Sequence, residues 1–322
     1  MGKPGPNPAC IYGWKLGTQH PDMENFIIII TFLIIGMVLQ LLPDFPDETG
    51  NVLNLFVIYI SLPALILLII PELVFSRDLL VPALMPWVML VVSGTLILIL
   101  SRFFQWERPT TGCLLLLVPL GNTSFLGIPM VKAFFGDEAV PYALLYDQLG
   151  SFLALATYGS LILALYGSGQ GKPTIKSVAK KVASFPPFIA LIFAFILKNM
   201  TYPAVVINLL NMLAATLVPL AMIAVGSQFR LQLSKDVVSQ LSVGLAVKLI
   251  AAPLAALLFC KLAGLEGVAA QVSIFEAGMP PMVSAGALAI LANLSPTLTA
   301  ALVGIGIILS FATLPLLYQL LG

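Results

Sequence analysis

The chain has 322 residues, 60% of them hydrophobic and only 9% charged, with a formal net charge of +1 at pH 7 and a mean hydropathy of +1.06. Soluble domains are about 45–50% apolar and about 25% charged, so a soluble enzyme and a disordered tail are excluded. The near-zero charge leaves no basic surface for a nucleic acid. What remains is an all-α membrane protein that crosses the bilayer several times.

Residues 1–22 are polar and rich in Pro and Gly. Turn formers separate Lys3 from Lys15, and no small-x-small site ends the first apolar run, so the segment does not read as a signal peptide. Pro6 stands where myristoylation requires Ser or Thr. An exposed N-terminal extension is expected, with no assigned role.

A hydrocarbon core about 30 Å thick takes about 20 residues of helix. Ten apolar runs follow the extension: 25–42, 51–70, 81–101, 111–134, 139–166, 185–200, 204–229, 237–262, 267–292 and 297–320. The longest link, residues 168–184, sets Ile175, Val178, Ala179 and Val182 beside Lys176, Lys180 and Lys181. That pattern predicts a short amphipathic basic helix lying on the membrane surface. With ten spans both termini share one side. Lys3, Lys15, Arg77, Lys132, Lys198 and Lys261 fall there, against Arg102, Arg108, Lys172, Lys176, Lys180, Lys181, Arg230 and Lys235 on the other. The positive-inside rule then puts the termini outside and the 168–184 linker in the cytoplasm; the cell membrane is the expected location.

The two halves, residues 23–167 and 185–322, echo each other. Run two carries Leu62-Pro63-Ala64 followed by Ser76-Arg77-Asp78, and run seven carries Val218-Pro219-Leu220 followed by Ser234-Lys235-Asp236. Runs four and nine, the fourth of each half, are both interrupted by helix breakers. Run four has Gly121-Asn122-Thr123-Ser124-Phe125-Leu126-Gly127-Ile128-Pro129, and run nine has Ala277-Gly278-Met279-Pro280-Pro281. Five spans per half is an odd number, so the halves are inverted relative to each other, and matched broken helices point to a secondary transporter with its site at mid-membrane. A helix opened in lipid exposes unpaired N–H and C=O groups, which is tolerated only against protein or a polar cavity. Single prolines such as Pro63, Pro86, Pro219, Pro253 and Pro315 are expected only to kink their helices.

Three ionisable groups fall at mid-bilayer within apolar runs: Asp147, Lys248 and Glu276. Each costs at least about 2.5–3.5 kcal/mol at mid-bilayer and is a functional candidate for that reason. The expected arrangement is Lys248 paired with one carboxylate while the other carries a coupling proton. Lys132, near the end of its run, can snorkel to the surface. Asn122, Thr123, Ser124, Gly278 and Met279 are the candidate substrate contacts; Gly121, Gly127, Pro129, Pro280 and Pro281 form the candidate helix crossover, and Gln271 is a further neutral hydrogen-bonding side chain.

No cofactor or metal is implied. Cys10, Cys113 and Cys260 are far apart, and His20 is the single histidine, which leaves no zinc or haem pattern. An intramembrane enzyme is disfavoured as well. Tyr146-Asp147 is similar to one half of an aspartyl intramembrane protease site, but the partner motif is missing, since Gly136-Asp137 follows Phe135 rather than a Gly-x pair.

GNTSFLGIPMV at 121–131, FVIYISLPALIL at 56–67 and EAGMPPMVSAGALA at 276–289 resemble the auxin efflux carrier family, the PIN-like transporters, over nearly all of residues 24–320. The resemblance implies a ten-helix fold of the NhaA and bile-acid-symporter type. It implies a scaffold of helices one, two, six and seven, a transport domain of helices three to five and eight to ten, and helices four and nine crossing at their prolines. It also implies an elevator-like movement, dimerisation through the scaffold, and a small organic anion such as auxin, malonate or malate as substrate. By position Asn122 matches the crossover asparagine, and Pro129 and Pro280 the breaker prolines. The chain departs from the plant exporters in its short central loop of about 18 residues and from the common pattern in its N-terminal extension. Proton coupling or uniport is favoured over sodium. The alternatives are a sodium-coupled anion symporter and a sensor or channel on the same fold.

Overall fold

A computed structural model describes residues 23–73, 76–168, 174–198, 200–228 and 237–321. The N-terminal extension with Cys10 and His20 lies outside the described residues, as do Lys172, Arg230 and Lys235. Among the described residues the regular elements are helices, joined at one point by an isolated antiparallel bridge.

In chain order the helices are α1 (Met23–Leu39), α2 (Thr49–Glu72), α3 (Arg77–Phe104), α4 (Arg108–Leu117), α5 (Thr123–Phe135), α6 (Asp137–Tyr166), α7 (Ile175–Ala183), α8 (Pro186–Ile196), α9 (Ala204–Ser227), α10 (Val238–Ala263), α11 (Val268–Ala277), α12 (Val283–Leu291) and α13 (Pro296–Leu321). Six of them, α2, α3, α6, α9, α10 and α13, are long and apolar enough to cross a membrane. The pair α7 and α8, bent by 66°, makes a seventh if it is counted as one span. Their outer faces leave Phe103, Val205 and Leu262 more than three-quarters exposed, which only a hydrocarbon surrounding makes acceptable. Among the described residues, fewer helices reach that length than the ten apolar runs of the sequence. Run six yields only the 11 residues of α8, about 16 Å of helix at 1.5 Å per residue, because Pro186 and Pro187 fix its start. Runs four and nine each divide into two helices, as their breakers predict.

The prolines do more than kink. Three of the four five-residue π-helical turns among the described residues, Val57–Ser61, Thr123–Gly127 and Val247–Ala251, each end two residues before a proline: Pro63, Pro129 and Pro253. A proline offers no N–H to the carbonyl four residues back and its ring collides with that carbonyl. The carbonyls in question belong to Tyr59, Phe125 and Leu249, the middle residues of the three turns. The ladder relieves the clash by widening, and such widened turns recur at functional sites. Two more lie in α6 without a proline of their own, Leu155–Gly159 and, preceding it, Tyr146–Ser151. In the latter the ring of Pro86 on α3 sits directly on Gly150, and Trp87 Nε1 donates to the Leu149 carbonyl at 3.0 Å.

Two apolar cores lie side by side. One gathers residues of α1, α2, α5, α6, α8, α9 and α11, among them Phe134 and Phe275. The other gathers Cys113–Leu117 of α4 with residues of α10, α12 and α13. The first half of run four thus packs with the second half of run nine, and the second half of four with the first half of nine. The two broken runs cross at their breaks. Elsewhere α1 and α9 touch backbone to backbone: a Cβ on Gly36 would strike the Ile223 carbonyl, and one on Gly226 would strike the Leu33 carbonyl. Ser61 and Thr216, beside the matching prolines of runs two and seven, share a hydroxyl–hydroxyl bond of 2.7 Å.

Candidate functional site

The breaks meet through main chain. The Asn122 N–H donates to the Pro280 carbonyl at 2.8 Å, and the Met282 N–H donates to the Leu120 carbonyl at 3.0 Å, pairing Gly121 with Pro281. A helix end leaves its first N–H and last C=O groups unsatisfied. The two breaks meet part of that need for each other, with Pro280 and Pro281 contributing no donors of their own. The Asn122 carbonyl then accepts from Gly127 N–H at 3.0 Å, closing the π turn that opens α5.

Around this bridge stand the three intramembrane charges, all buried. Asp147 lies in the widened turn of α6 and accepts three hydrogen bonds of 2.6 Å, from Thr123 Oγ1 and Ser124 Oγ at one oxygen and from Gln148 Nε2 at the other. Both oxygens thus serve as acceptors for neutral donors. Lys248 lies in the widened turn of α10, and its Nζ donates to the Ala277 carbonyl at 3.3 Å. The ammonium caps the free C-terminal end of α11, where the helix dipole favours a cation. A Cβ on Gly121 would stand 3.1 Å from that Nζ. Glu276, one residue before the break, is fully buried and both its carboxylate oxygens lack a hydrogen-bond partner. It lies within electrostatic reach of Asp147, Lys248 and Tyr146.

The expected ion pair is absent. No carboxylate lies within 4.0 Å of Lys248; the one salt bridge among the described residues joins Lys132 to Asp137 at 2.7 Å on the exposed surface. The reason is local. Residues next to Asp147 in sequence and space satisfy it, while a main-chain carbonyl holds the lysine. Thr123 and Ser124, read as substrate contacts, are committed to Asp147 in this conformation. Gly278 and Met279 are buried under the break; a Cβ on Gly278 would stand 2.8 Å from Leu317 Cδ2. Pro129 opens the α-helical part of α5 just after the π turn.

Asn122 does lie at the meeting point, 1% exposed, with its Nδ2 unpartnered. Gln148 Oε1 is unpartnered as well. Buried polar groups in native proteins are overwhelmingly bonded, so Asn122 Nδ2, Gln148 Oε1 and the Glu276 oxygens stand out among the groups near the crossover. Gln148 is not among the candidates from the sequence, and Gly127, a crossover candidate, has a role beyond the one expected. Gln148 was signalled only by a second polar residue beside Asp147. Gly127 was taken as a helix opener, yet its missing side chain is what seats Glu276: a Cβ there would fall 2.6 Å from Oε1 and 2.8 Å from the carboxyl carbon.

The profile of a family described as membrane transport proteins matches residues 22–318. The chain is 29% identical to an uncharacterized transporter of Methanocaldococcus jannaschii over 267 residues, 80% of this chain and 85% of the relative. It is 26% identical to an uncharacterized transporter of Methanothermobacter thermautotrophicus over 296 residues, 91% of this chain and 96% of the relative. It is 24% identical over 262 residues, 77% of this chain and 79% of the relative, to a Rhizobium meliloti protein provisionally named a malonate transporter.

Proposed function

The chain belongs to the membrane transport protein family, the group of the auxin efflux carriers, and from that premise we propose that it is a secondary carrier for a small organic anion. The observation that carries this reading is the convergence of Asn122 Nδ2, the Lys248 ammonium and the unpartnered Glu276 at the paired breaks of two helices. The ammonium has two N–H groups beyond the one it gives to Ala277, and Asn122 has both of its own. Together they suit one carboxylate of a substrate. The relative named for malonate agrees with that class.

In this reading the chain forms ten spans as two inverted five-helix repeats. Helices one, two, six and seven are the scaffold, through which two copies associate, and the other six move as a transport body in an elevator-like cycle. The termini face outward and the 168–184 linker lies in the cytoplasm, in the cell membrane. Asp147, already satisfied by three donors, is a positioning residue that holds Thr123 and Ser124 at the start of α5. Glu276 is the group left to take up and release a cation, and a proton is favoured over sodium.

The test is uptake of labelled malonate, malate and indole-3-acetate into proteoliposomes of the purified protein, with and without an imposed pH gradient. Saturable uptake that follows the gradient is expected. Asn122→Ala is expected to remove saturable uptake while the protein still folds. Glu276→Gln is expected to leave binding measurable and to flatten the pH dependence of uptake. Asp147→Asn is expected to lower thermal stability by about 1.5–3 kcal/mol, the worth of hydrogen bonds to a charged group, without abolishing the pH dependence. A steep pH profile in Glu276→Gln would exchange the roles of the two acids. Uptake that stops when sodium is replaced by choline would favour the sodium-coupled alternative, which the bare Glu276 oxygens could also serve.

A further inference from the structure

Away from the crossover, an apolar groove of about 350 Å³ runs along α8, between it and α2, lined by Pro63, Leu67, Pro186, Ile189, Phe193 and Leu197 among others. Pro186 and Leu197 bracket the helix, so the groove extends over its whole length of about 16 Å. That is about half of a 30 Å hydrocarbon core, the depth of one leaflet.

The Pro186 end adjoins α7, which turns away at 66°. A capping box of Thr174 and Ser177 starts α7, and none of its residues is buried against protein; Ile175 is 90% exposed. On its apolar face Val178 and Val182 are half-buried, while Ile175 and Ala179 are exposed and left to the bilayer; Lys176, Lys180 and Lys181 point elsewhere around the helix. From residue 148 to residue 235 the chain contains no Asp or Glu. The basic turn beside the groove mouth thus has no acidic partner from its own part of the sequence.

We propose that α7, α8 and α2 form a binding site for an anionic phospholipid of the bilayer, with the phosphate headgroup at Lys176, Lys180 and Lys181 and an acyl chain along the groove. The charge, the leaflet-deep groove and the surface helix above it each match one part of that molecule. The site explains how an 11-residue helix is tolerated in the membrane: the lipid chain fills the space beside it that a full-length partner would occupy. Lysines near an anionic surface contribute additively, so the headgroup selects and the chain anchors. The proposal is independent of what the crossover transports.

The test is native mass spectrometry of the purified full chain with phosphatidylglycerol and phosphatidylcholine of identical acyl chains. Wild-type protein is expected to retain phosphatidylglycerol in preference. Lys176→Gln/Lys180→Gln/Lys181→Gln is expected to cut that preference roughly a hundredfold, from about one kcal/mol per lysine, while still holding either lipid weakly. Ile189→Trp, a lipid-facing change that fills the groove, is expected to reduce retention of both lipids. Equal retention by the wild type, a preference that survives the triple variant, or unchanged retention in Ile189→Trp would each overturn the site. So would efficient disulfide linking of two copies through Phe193→Cys in membranes, which would assign the groove to a second copy of the chain.

Discussion

Gly127→Ala is expected to lower transport about a hundredfold in a protein that still reaches the membrane and unfolds cooperatively. The added Cβ would fall 2.6 Å from Glu276 Oε1, well inside contact distance, and the carboxylate is fully buried. The side chain has to swing out of its seat by about an ångström, the scale of misplacement that costs a positioned functional group about two orders of magnitude. The accompanying loss of stability is about 1–3 kcal/mol, the usual cost of an extra methyl in a filled interior. A double variant separates the two effects. Gly127→Ala combined with Glu276→Ala removes the clash, so its loss of thermal stability is expected to be smaller than the sum of the single losses, while transport stays lost. Wild-type uptake rates in Gly127→Ala would show that the position of Glu276 does not matter to the cycle.

Gly226→Leu is expected to remove folded protein altogether, read as loss of the monodisperse peak after detergent extraction. Gly226 and Gly36 face each other where α9 crosses α1. The Cβ of any residue at 226 would strike the Leu33 carbonyl and lie 3.0 Å from the Met37 nitrogen and 3.1 Å from the Gly36 Cα. These neighbours are backbone, and backbone in a packed helix cannot turn aside as a side chain can. The two axes would have to separate along their whole contact, and close approach of small residues is what holds helices together in lipid. Gly226→Ala is the graded test, expected to cost about 3 kcal/mol or more, at the upper end of single-residue effects. Stable protein from Gly226→Leu would mean that the contact between α1 and α9 is dispensable.

The apolar runs, the two broken helices and the three intramembrane charges were legible because each is a departure in composition: a breaker in an apolar run, a charge where charge is expensive. What was not legible is what those residues touch. Spacing brings Lys248 and two acids into the same region but does not say that a freed carbonyl at Ala277 takes the ammonium first. It does not say that Thr123 and Ser124 turn to Asp147. Glycine is ambiguous for the same reason: Gly127 reads as a helix opener in one dimension and as the seat of a carboxylate in three. The widened turns were legible in principle, since Pro63, Pro129 and Pro253 each strip a partner from the carbonyl four residues back, but their consequence depends on packing around the released group. Run six shows the limit of counting apolar residues, because two prolines and a sharp bend leave only 11 of them helical.

The bond between Asn122 and Pro280, and its partner between Met282 and Leu120, have a consequence for how such a site can diversify. Both use main-chain atoms, so no exchange of side chains at 122, 279 or 280 deletes either one; only proline at 122 or 282 would, by removing the donor. The join between the two halves is therefore uncoupled from the chemistry displayed at it. Point substitutions can alter the side chains presented at the crossover without severing the main-chain connection that ties α4 and α5 to α11 and α12.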